Sequence, residues 1–297
     1  MLPPSHYLEL KDPCVAHDGE RWHLFGTGVA RRRFEVFHAT SLRLAGPWSW
    51  ELPVDVSALR GSCVAAPGVV HDEGRWHLFL QTTFNELGGV LEHLVSDDGA
   101  VTFAHARTAL TSLPGTDEAG LYDPHPCVID GEKLLVYSAF SIIGQPDVHA
   151  VRSLSGSWDG PWERLGAVLR HEDVHCHNQR GAPGYEWGLE AAQVLELEDG
   201  RCVMNAVCFL PGQAQGARQR VFLAAADSVE GPWEVIGPVV TPAPGGGENG
   251  HGCLVEEDGS LFLLHQERSL QEPRWGLSLT ELDLCVLTHA VDEEDVA

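Results

Sequence analysis

The stretch LYDPHPCVIDGEKLLVYSAF (121–140) has the pattern of a β-hairpin. An Asp-Pro pair opens a short apolar run, Asp130-Gly131 makes the turn, and a second apolar run returns through Leu134 to Tyr137. Glycine supplies the positive φ that a tight hairpin turn requires. The same plan recurs in four further segments: KDPCVAHDGERWHLFGTG (11–28), AAPGVVHDEGRWHLFLQT (65–82), EAAQVLELEDGRCVMNAV (190–207) and HGCLVEEDGSLFLLHQER (251–268).

The hairpins recur at a nearly regular interval. Their turn glycines are separated by 55, 57, 69 and 59 residues, and lie at Gly19, Gly74, Gly131, Gly200 and Gly259. A repeat of this length with β pattern in every unit is typical of a propeller or a solenoid. The tripeptide GPW follows a further predicted strand in three of the units, at 46–48, 160–162 and 231–233. We therefore predict an all-β fold, a single-domain five-bladed β-propeller over 1–297, with blades at about 11–50, 63–107, 121–168, 189–238 and 250–288.

Composition and charge exclude several classes of partner. The net charge is −24 and the chain has two lysines, Lys11 and Lys133. Binding to nucleic acid or to an anionic membrane depends on basic patches, so neither partner is expected. The first residues, MLPPSHYLELKD, lack the basic start and apolar core of a signal peptide, and no apolar run reaches the length of a membrane span. Eight cysteines without a CxxC pair fit reduced, buried thiols, which predicts a cytoplasmic protein.

The repeat also predicts a site. Counting back seven to ten residues from each turn glycine leads to the start of the hairpin, at Asp12, Ala66, Asp123, Glu190 and His251. In a propeller these positions are the axial ends of the innermost strands, so three carboxylates and a histidine would surround one cavity. Carboxylates crowded in a partly desolvated cavity acquire different pKa values. Such a difference is what acid and base catalysis on a glycosidic bond needs.

With these motifs in place, the chain resembles the five-bladed glycoside hydrolases of family 43, the arabinofuranosidase, xylosidase and arabinanase group. The matching pieces run in order over nearly the whole chain: DPCV (12–15), APGVV (66–70), YDPHP (122–126), WGLEAAQVL (187–195), GHGCLVEEDG (250–259) and the three GPW turns. The motif around Glu190 reads Glu-Ala-Ala-Gln where relatives often have Glu-Gly-Pro-His. Ala65 stands where relatives often have an aromatic residue.

The resemblance implies roles for individual residues. Asp12 would be the general base, Glu190 the general acid, and Asp123 the carboxylate that orients the acid and raises its pKa. His251 matches a histidine that faces the axial cavity in many relatives and coordinates calcium directly or through water. The implied chemistry requires no cofactor, although Ca²⁺ in the axial cavity is one option.

The expected substrate is a glycoside or an oligosaccharide. Because sugar rings stack on aromatic side chains and polar groups bind their hydroxyls, we predict Phe84, Phe140 and Trp187 on the pocket wall, together with His251 and Arg268. The preferred function is hydrolysis with inversion of a terminal pentose, an α-L-arabinofuranoside or a β-D-xyloside. Two alternatives stay open at this point. One is a related five-bladed enzyme, a fructofuranosidase or a mannoside phosphorylase with Arg180 and Arg268 for phosphate, and the other is a non-catalytic sugar-binding propeller.

Overall fold

The chain folds as a five-bladed β-propeller, which confirms the predicted fold class. The computed structural model describes residues 4–31, 33–84, 86–142, 144–174, 188–209, 216–242 and 246–283. Five small antiparallel sheets account for nearly all of the regular structure. Within these residues the helical structure is limited to one 3-10 turn, His171–Asp173.

Each sheet is built from strands that follow one another in the chain. Blade one contains β1 (Glu9–His17), β2 (Trp22–Val29), β3 (Phe34–Ser41) and β4 (Ser49–Trp50). Blade two contains β5 (Ala65–Asp72), β6 (Arg75–Gln81), β7 (Val90–Ser96) and β8 (Ala104–Thr111). Blade three contains β9 (Gly120–Ile129), β10 (Glu132–Phe140), β11 (Asp147–Ser153) and β12 (Trp162–Leu169). Blade four contains β13 (Glu190–Glu196), β14 (Cys202–Phe209), β15 (Gln219–Ala226) and β16 (Glu234–Pro238). Blade five contains β17 (Gly247–Glu257), β18 (Ser260–Ser269) and β19 (Gly276–Leu282).

The first strand of every sheet lies innermost. β1, β5, β9, β13 and β17 contact one another in sequence, and β17 contacts β1, so the ring closes between blades five and one. Hydrophobic clusters fill the spaces between neighbouring sheets. Trp76 of blade two packs 4.4 Å from the ring of His23 in blade one, and Trp158 of blade three packs 5.9 Å from His77 in blade two. The axial ends of the five inner strands are thereby held around one centre.

The predicted turns form as expected. The five turn glycines all have positive φ, between 74° and 99°. In the GPW turns the glycine is required for a second reason, because a Cβ atom on Gly46 would lie 2.9 Å from the Trp48 ring, and one on Gly160 would lie 2.9 Å from the Trp162 ring. The tripeptide therefore specifies a tight turn in which the tryptophan folds back over the glycine.

Two blades carry a buried pair of histidines. His23 and His38 of blade one join ring nitrogens 3.0 Å apart, and His77 and His93 of blade two repeat this contact at 3.0 Å. Burial lowers the pKa of His38 to about 3 and the pKa of His77 and His93 to about 4. All of these rings are therefore neutral at pH 7 in the folded protein.

We expect these pairs to make the fold sensitive to acid. A histidine in the unfolded chain gains its proton near its ordinary pKa of about 6.5, whereas the buried rings resist protonation until about pH 4. The unfolded state therefore binds more protons in this window, and stability present above pH 6.5 is lost as the pH falls toward 4. Each histidine should contribute a slope of about 1.4 kcal/mol per pH unit to the free energy of unfolding.

Urea unfolding of wild type and His93→Gln between pH 4 and 7 measures this slope. The variant should show the shallower pH dependence. Equal slopes for wild type and His93→Gln would contradict the assignment.

The six described cysteines form no disulfide with one another: Cys14, Cys63, Cys127, Cys202, Cys208 and Cys253. Cys176 and Cys285 lie outside the described residues. In the part of the chain that the structure describes, no helix has the length and apolar character to cross a membrane.

Candidate active site

A bulge interrupts each inner strand near its axial end. The strand registers shift between Lys11 and Cys14, and at the equivalent place in the other four blades. At every bulge one non-glycine residue adopts positive φ: Asp12 (52°), Ala66 (48°), Asp123 (50°), Ala191 (53°) and His251 (28°). This conformation is costly for residues with a Cβ atom, and such strain is concentrated at functional sites. The bulges re-aim the side chains toward the axis.

Side chains from the second strand of a neighbouring blade bind the backbone N–H groups of four bulge residues. The donors and acceptors are paired as follows: Ala66 N–H with Thr27 (2.9 Å), Asp123 N–H with Gln81 (3.0 Å), Ala191 N–H with Ser138 (3.2 Å) and Asp12 N–H with Gln266 (2.9 Å). Each bond links one blade to the next. The strained backbone of the site is therefore held by the closed ring as a whole.

In blade four the bulge lies one residue later than the sequence repeat predicts. There the residue with positive φ is Ala191, so Glu190 occupies the position that Lys11 holds in blade one. Counting back from the turn glycine had placed Glu190 as the equivalent of Asp12. Glu190 nevertheless is buried beside the axis, because the innermost strand turns its side chain into the same pocket.

One pocket of 360 Å³ opens at this end of the axis. Asp12, Asp123, Glu190 and His251 lie in its wall, as do Phe84 and Arg268. The sequence had placed all six in the site, and the structure brings them together.

The acids are arranged around the imidazole of His251. Nδ1 of His251 lies 3.0 Å from Oδ1 of Asp12, although outside hydrogen-bond geometry. Nε2 of the same ring lies 3.9 Å from Oδ2 of Asp123 and 3.9 Å from Oε2 of Glu190. Asp12 therefore faces one nitrogen of the ring, and the other two carboxyl groups face the opposite nitrogen. Burial lowers the pKa of His251 to about 4, so the ring is neutral at pH 7.

Asp12 is the acidic member of the group. Burial opposes its ionisation, but the positive charge of Lys11, the proximity of His251 and a hydrogen bond from Thr27 outweigh burial and lower its pKa. The pKa of Lys11 likewise depends on burial and on neighbouring charges, which act in opposite directions. Burial disfavours its charge, yet Asp12, Asp123 and Glu190 together raise its pKa. The pair is therefore ionised at neutral pH.

Asp123 and Glu190 behave in the opposite way. Burial and the neighbouring Glu190 raise the pKa of Asp123 well above its ordinary value. Burial raises the pKa of Glu190 to about 7, against the charge of Lys11 and a hydrogen bond from Tyr122, whose Oη lies 3.4 Å from Oε1. Because the two carboxyl groups repel each other's charge, they titrate as a unit and hold a proton between them near neutral pH. The site thus contains the ionised Asp12 and a pair of carboxyl groups that share one proton.

The remaining predicted wall residues have different positions. Phe84 is 40% exposed in the wall and meets Tyr122 edge-on at 5.6 Å. Phe140 lies 6.0 Å from Tyr122 and close to Gly120, and it is not part of the described pocket wall. Phe140 is paired with Gly120 at the end of the β9–β10 hairpin, so its ring packs over that glycine and not in the pocket wall. Trp187 and Arg180 lie outside the described residues.

A small chamber of 20 Å³ lies on the axis next to the pocket, bordered by Asp12, Asp123, Gln193 and His251. This is room for about one water molecule or ion. Oε1 of Gln193 is buried without a hydrogen-bond partner, so oxygen donors suited to a hard cation such as Ca²⁺ are present. Asp123, Glu190 and His251 also offer ligand atoms within 4.8 Å of one another. A cation bound directly to Glu190 would ionise it, which conflicts with a proton-donating role.

Sequence reasoning missed several residues of the site. Lys11, Cys63, Arg218 and Trp275 line the pocket and were not predicted there. A signal existed for the residues that bind the bulges. Each is a polar residue five to eight positions after a turn glycine: Thr27, Gln81, Ser138, Asn205 and Gln266. Of these, Asn205 donates to the carbonyl of Gly252 rather than accepting a bulge N–H.

Several solved structures are similar to this fold. An exo-1,5-α-L-arabinanase from a bovine ruminal metagenomic library superposes with a TM-score of 0.69 at 13% identity, covering 95% of each chain. The α-L-arabinanase of Cellvibrio cellulosa in complex with arabinohexaose gives 0.69 at 14% identity, over 97% of this chain and 99% of that one. The catalytic domain of the GH62 α-L-arabinofuranosidase of Coprinopsis cinerea gives 0.71 at 16% identity, over 94% and 93%. The resemblance expected from the motifs is thus confirmed at the level of the fold.

Sequence comparison adds a more limited similarity. A probable arabinan endo-1,5-α-L-arabinosidase B of Aspergillus fumigatus is 29% identical over 156 residues, which is 48% of this chain. The match covers 37% of the length of that relative. No family model matches the chain.

Proposed function

We propose that the protein is a glycoside hydrolase that removes a terminal pentose, an α-L-arabinofuranoside in preference to a β-D-xyloside. The observation that carries the proposal is the division of the axial acids into an ionised Asp12 and a protonated Asp123–Glu190 pair on opposite nitrogens of His251. The names of the similar structures and of the Aspergillus relative favour the arabinofuranoside.

The mechanism follows from the protonation states. Glu190 donates its proton to the glycosidic oxygen as the bond to the anomeric carbon breaks. Asp12 accepts a proton from a water molecule, whose oxygen attacks the same carbon from the opposite face. The sugar is released with inverted configuration, and both groups return to their starting states by exchanging protons with solvent. Inversion needs the acid and the base on opposite sides of the anomeric carbon, and Asp12 and Glu190 lie on opposite sides of the His251 ring.

The pocket and the residues around the two catalytic carboxyl groups are expected to hold the substrate and these groups in place. The pocket volume of 360 Å³ is near the lower end of the range for ligand pockets, which suits a single sugar ring. Lys11 keeps Asp12 ionised and is itself buried against the acids. Burial raises the pKa of Tyr122, so its hydroxyl stays protonated and donates to Glu190.

The contacts of Arg268 argue against its use as a phosphate ligand. Phosphate would need a free cation in the pocket, and Arg268 donates from Nε to Oε1 of the buried Glu248 at 2.8 Å. Its guanidinium also lies 4.4 Å from the ring of Trp275. The charge of Arg268 is therefore matched by an acid with no solvent exposure.

A screen of chromogenic glycosides with and without phosphate tests the proposal. We expect turnover of the arabinofuranoside that phosphate does not accelerate, and that EDTA does not abolish, since no step uses a cofactor. NMR of the first product anomer should show inversion. Turnover that depends on phosphate, retention of configuration, or binding of sugars without turnover of any glycoside would each contradict it.

Asp123→Asn should shift the alkaline limb of the pH profile of kcat/KM to lower pH. In the wild type, activity should be lost as the pH rises through about 7, where Glu190 loses its proton. Without the neighbouring negative charge Glu190 should ionise earlier, by on the order of one pH unit. Asp199→Asn, in the exposed turn of blade four, is the matched control. An unshifted limb would mean that Asp123 rather than Glu190 carries the proton of the pair.

A further inference from the structure

The ring of blades closes at a seam, where β1 of blade one meets β17 of blade five. Among the strands that the structure describes, none is shared across this seam, since β1 opens blade one and β17 to β19 make up blade five. The N–H of Leu10 donates to the carbonyl of Trp275 at 3.0 Å, and Nε1 of Trp22 donates to Oε1 of Glu257 at 2.8 Å. These contacts are non-covalent, whereas every other blade is joined to the next by the chain itself.

A pair of cysteines lies at this seam. Cys14 stands two residues after the bulge residue Asp12, and Cys253 stands two residues after the bulge residue His251. The two thiols therefore occupy equivalent positions on the inner strands of the first and last blades, 239 positions apart in the chain. Both are enclosed, with 0% and 2% of their surface exposed. Neither lines the axial pocket, so the proposed glycosidase chemistry does not use them.

The two sulfur atoms are in contact. Sγ of Cys253 accepts the N–H of Val15, the residue next to Cys14, at 3.4 Å, and Sγ of Cys14 accepts the N–H of Val69 at 3.2 Å. The thiol of Cys14 also donates to Sγ of Cys253. This hydrogen bond and burial raise the pKa of Cys14 well above its ordinary value, and the same bond lowers the pKa of Cys253. A disulfide requires two backbones that approach closely, and the contact of Cys253 with Val15 shows such an approach.

From this placement and these contacts we infer that Cys14 and Cys253 are a redox site, which a small-molecule disulfide such as glutathione disulfide oxidises to a covalent bond across the seam. The thiolate of Cys253 attacks one sulfur of the oxidant, whose S–S bond breaks, and the other half leaves as a thiolate that takes up a proton. The thiolate of Cys14 then attacks the sulfur of Cys253 in the mixed disulfide and displaces the second half. The protein thereby loses two protons and two electrons, which the oxidant gains as two thiols.

The burial of the pair decides when the bond forms and what it does. Because both sulfur atoms are enclosed, exchange takes place while the seam is open, during folding or in a local opening of the folded ring. The bond links the strands that carry Asp12 and His251 and closes most of the chain into one loop. A disulfide restricts the unfolded chain, and the restriction grows with the length of the loop. The oxidised protein should therefore unfold less readily than the reduced protein.

Peptide mapping of the full-length protein tests the site, after incubation or refolding in buffers of reduced and oxidised glutathione. The non-reduced digest should contain one peptide that joins Cys14 to Cys253, and alkylation should count two free thiols fewer than in the reduced protein. Mild urea should speed the oxidation of the folded protein, because it favours opening of the seam. Cys14→Ala should abolish the joined peptide. Cys127→Ala, which removes another buried thiol of an inner strand, is the matched control and should keep it.

Unfolding kinetics in urea measure the effect of the bond on the ring. Oxidation should lower the unfolding rate constant by on the order of tenfold or more, and dithiothreitol should restore the rate of the reduced protein. Wild-type protein that keeps both thiols after refolding in the oxidising buffer, or that carries glutathione on one of them without the bond, would overturn the assignment even if Cys14→Ala does not fold. Equal unfolding rates of the two forms would overturn the role of the bond in closing the ring. None of these measurements depends on the proposed function.

Discussion

Asp12→Ala should lower kcat by about 10²–10⁴-fold on every glycoside substrate, because positioned proton transfer has this value and Asp12 is the ionised carboxylate on its side of His251. The loss should not depend on the leaving group, since the base acts on the attacking water. KM should change much less. Steady-state kinetics on an alkyl and on an activated aryl arabinofuranoside measure both quantities.

The substitution is suited to the test because alanine already occupies the same bulge conformation elsewhere in the ring. Ala66 in blade two and Ala191 in blade four have φ values of 48° and 53°, against 52° for Asp12. The variant should therefore keep the bulge conformation, and circular dichroism checks that it is folded. Wild-type hydrolysis by a folded Asp12→Ala protein would remove Asp12 from the chemistry.

Glu190→Ala should lower kcat by a similar 10²–10⁴-fold on natural linkages, whose alkoxide leaving group needs a proton. The loss should be much smaller on a substrate with an acidic phenol, because that group departs without protonation. The alkaline limb near pH 7 should also disappear, since burial raises the pKa of Glu190 to about that value. Rates on a series of phenols of increasing acidity measure the first effect, and the pH profile measures the second.

The two variants form each other's control. If Glu190→Ala were equally impaired on all leaving groups, it would act as a positioning residue and not as the acid. A steep leaving-group dependence in Asp12→Ala would exchange the two roles. Full activity in both variants would exclude the assignment.

Local sequence patterns predicted the hairpins, the number of blades and several axial residues of this protein. Hairpin turns depend on a few adjacent residues, so Asp130-Gly131 and its four counterparts predicted the strand pairs and, by their spacing, the number of blades. The axial positions of Asp12, Asp123 and His251 followed from the same repeat. Glu190 reached the correct pocket, although the bulge residue of its blade is Ala191. A one-residue difference of this kind is not visible in spacing, because the hairpins differ in length.

Other features depend on side chains far apart in the chain. Gln266 binds the N–H of Asp12 across 254 positions, and this contact exists only once blades five and one have met. The ionised state of Asp12 and the raised pKa of Glu190 arise from burial and from charges on other blades. Sequence order does not record these distances, and pKa values depend on them directly. The repeat alone therefore determined the axial positions of Asp12, Asp123 and His251, whereas the closed ring decided that Asp12 is ionised and that Asp123 and Glu190 share a proton.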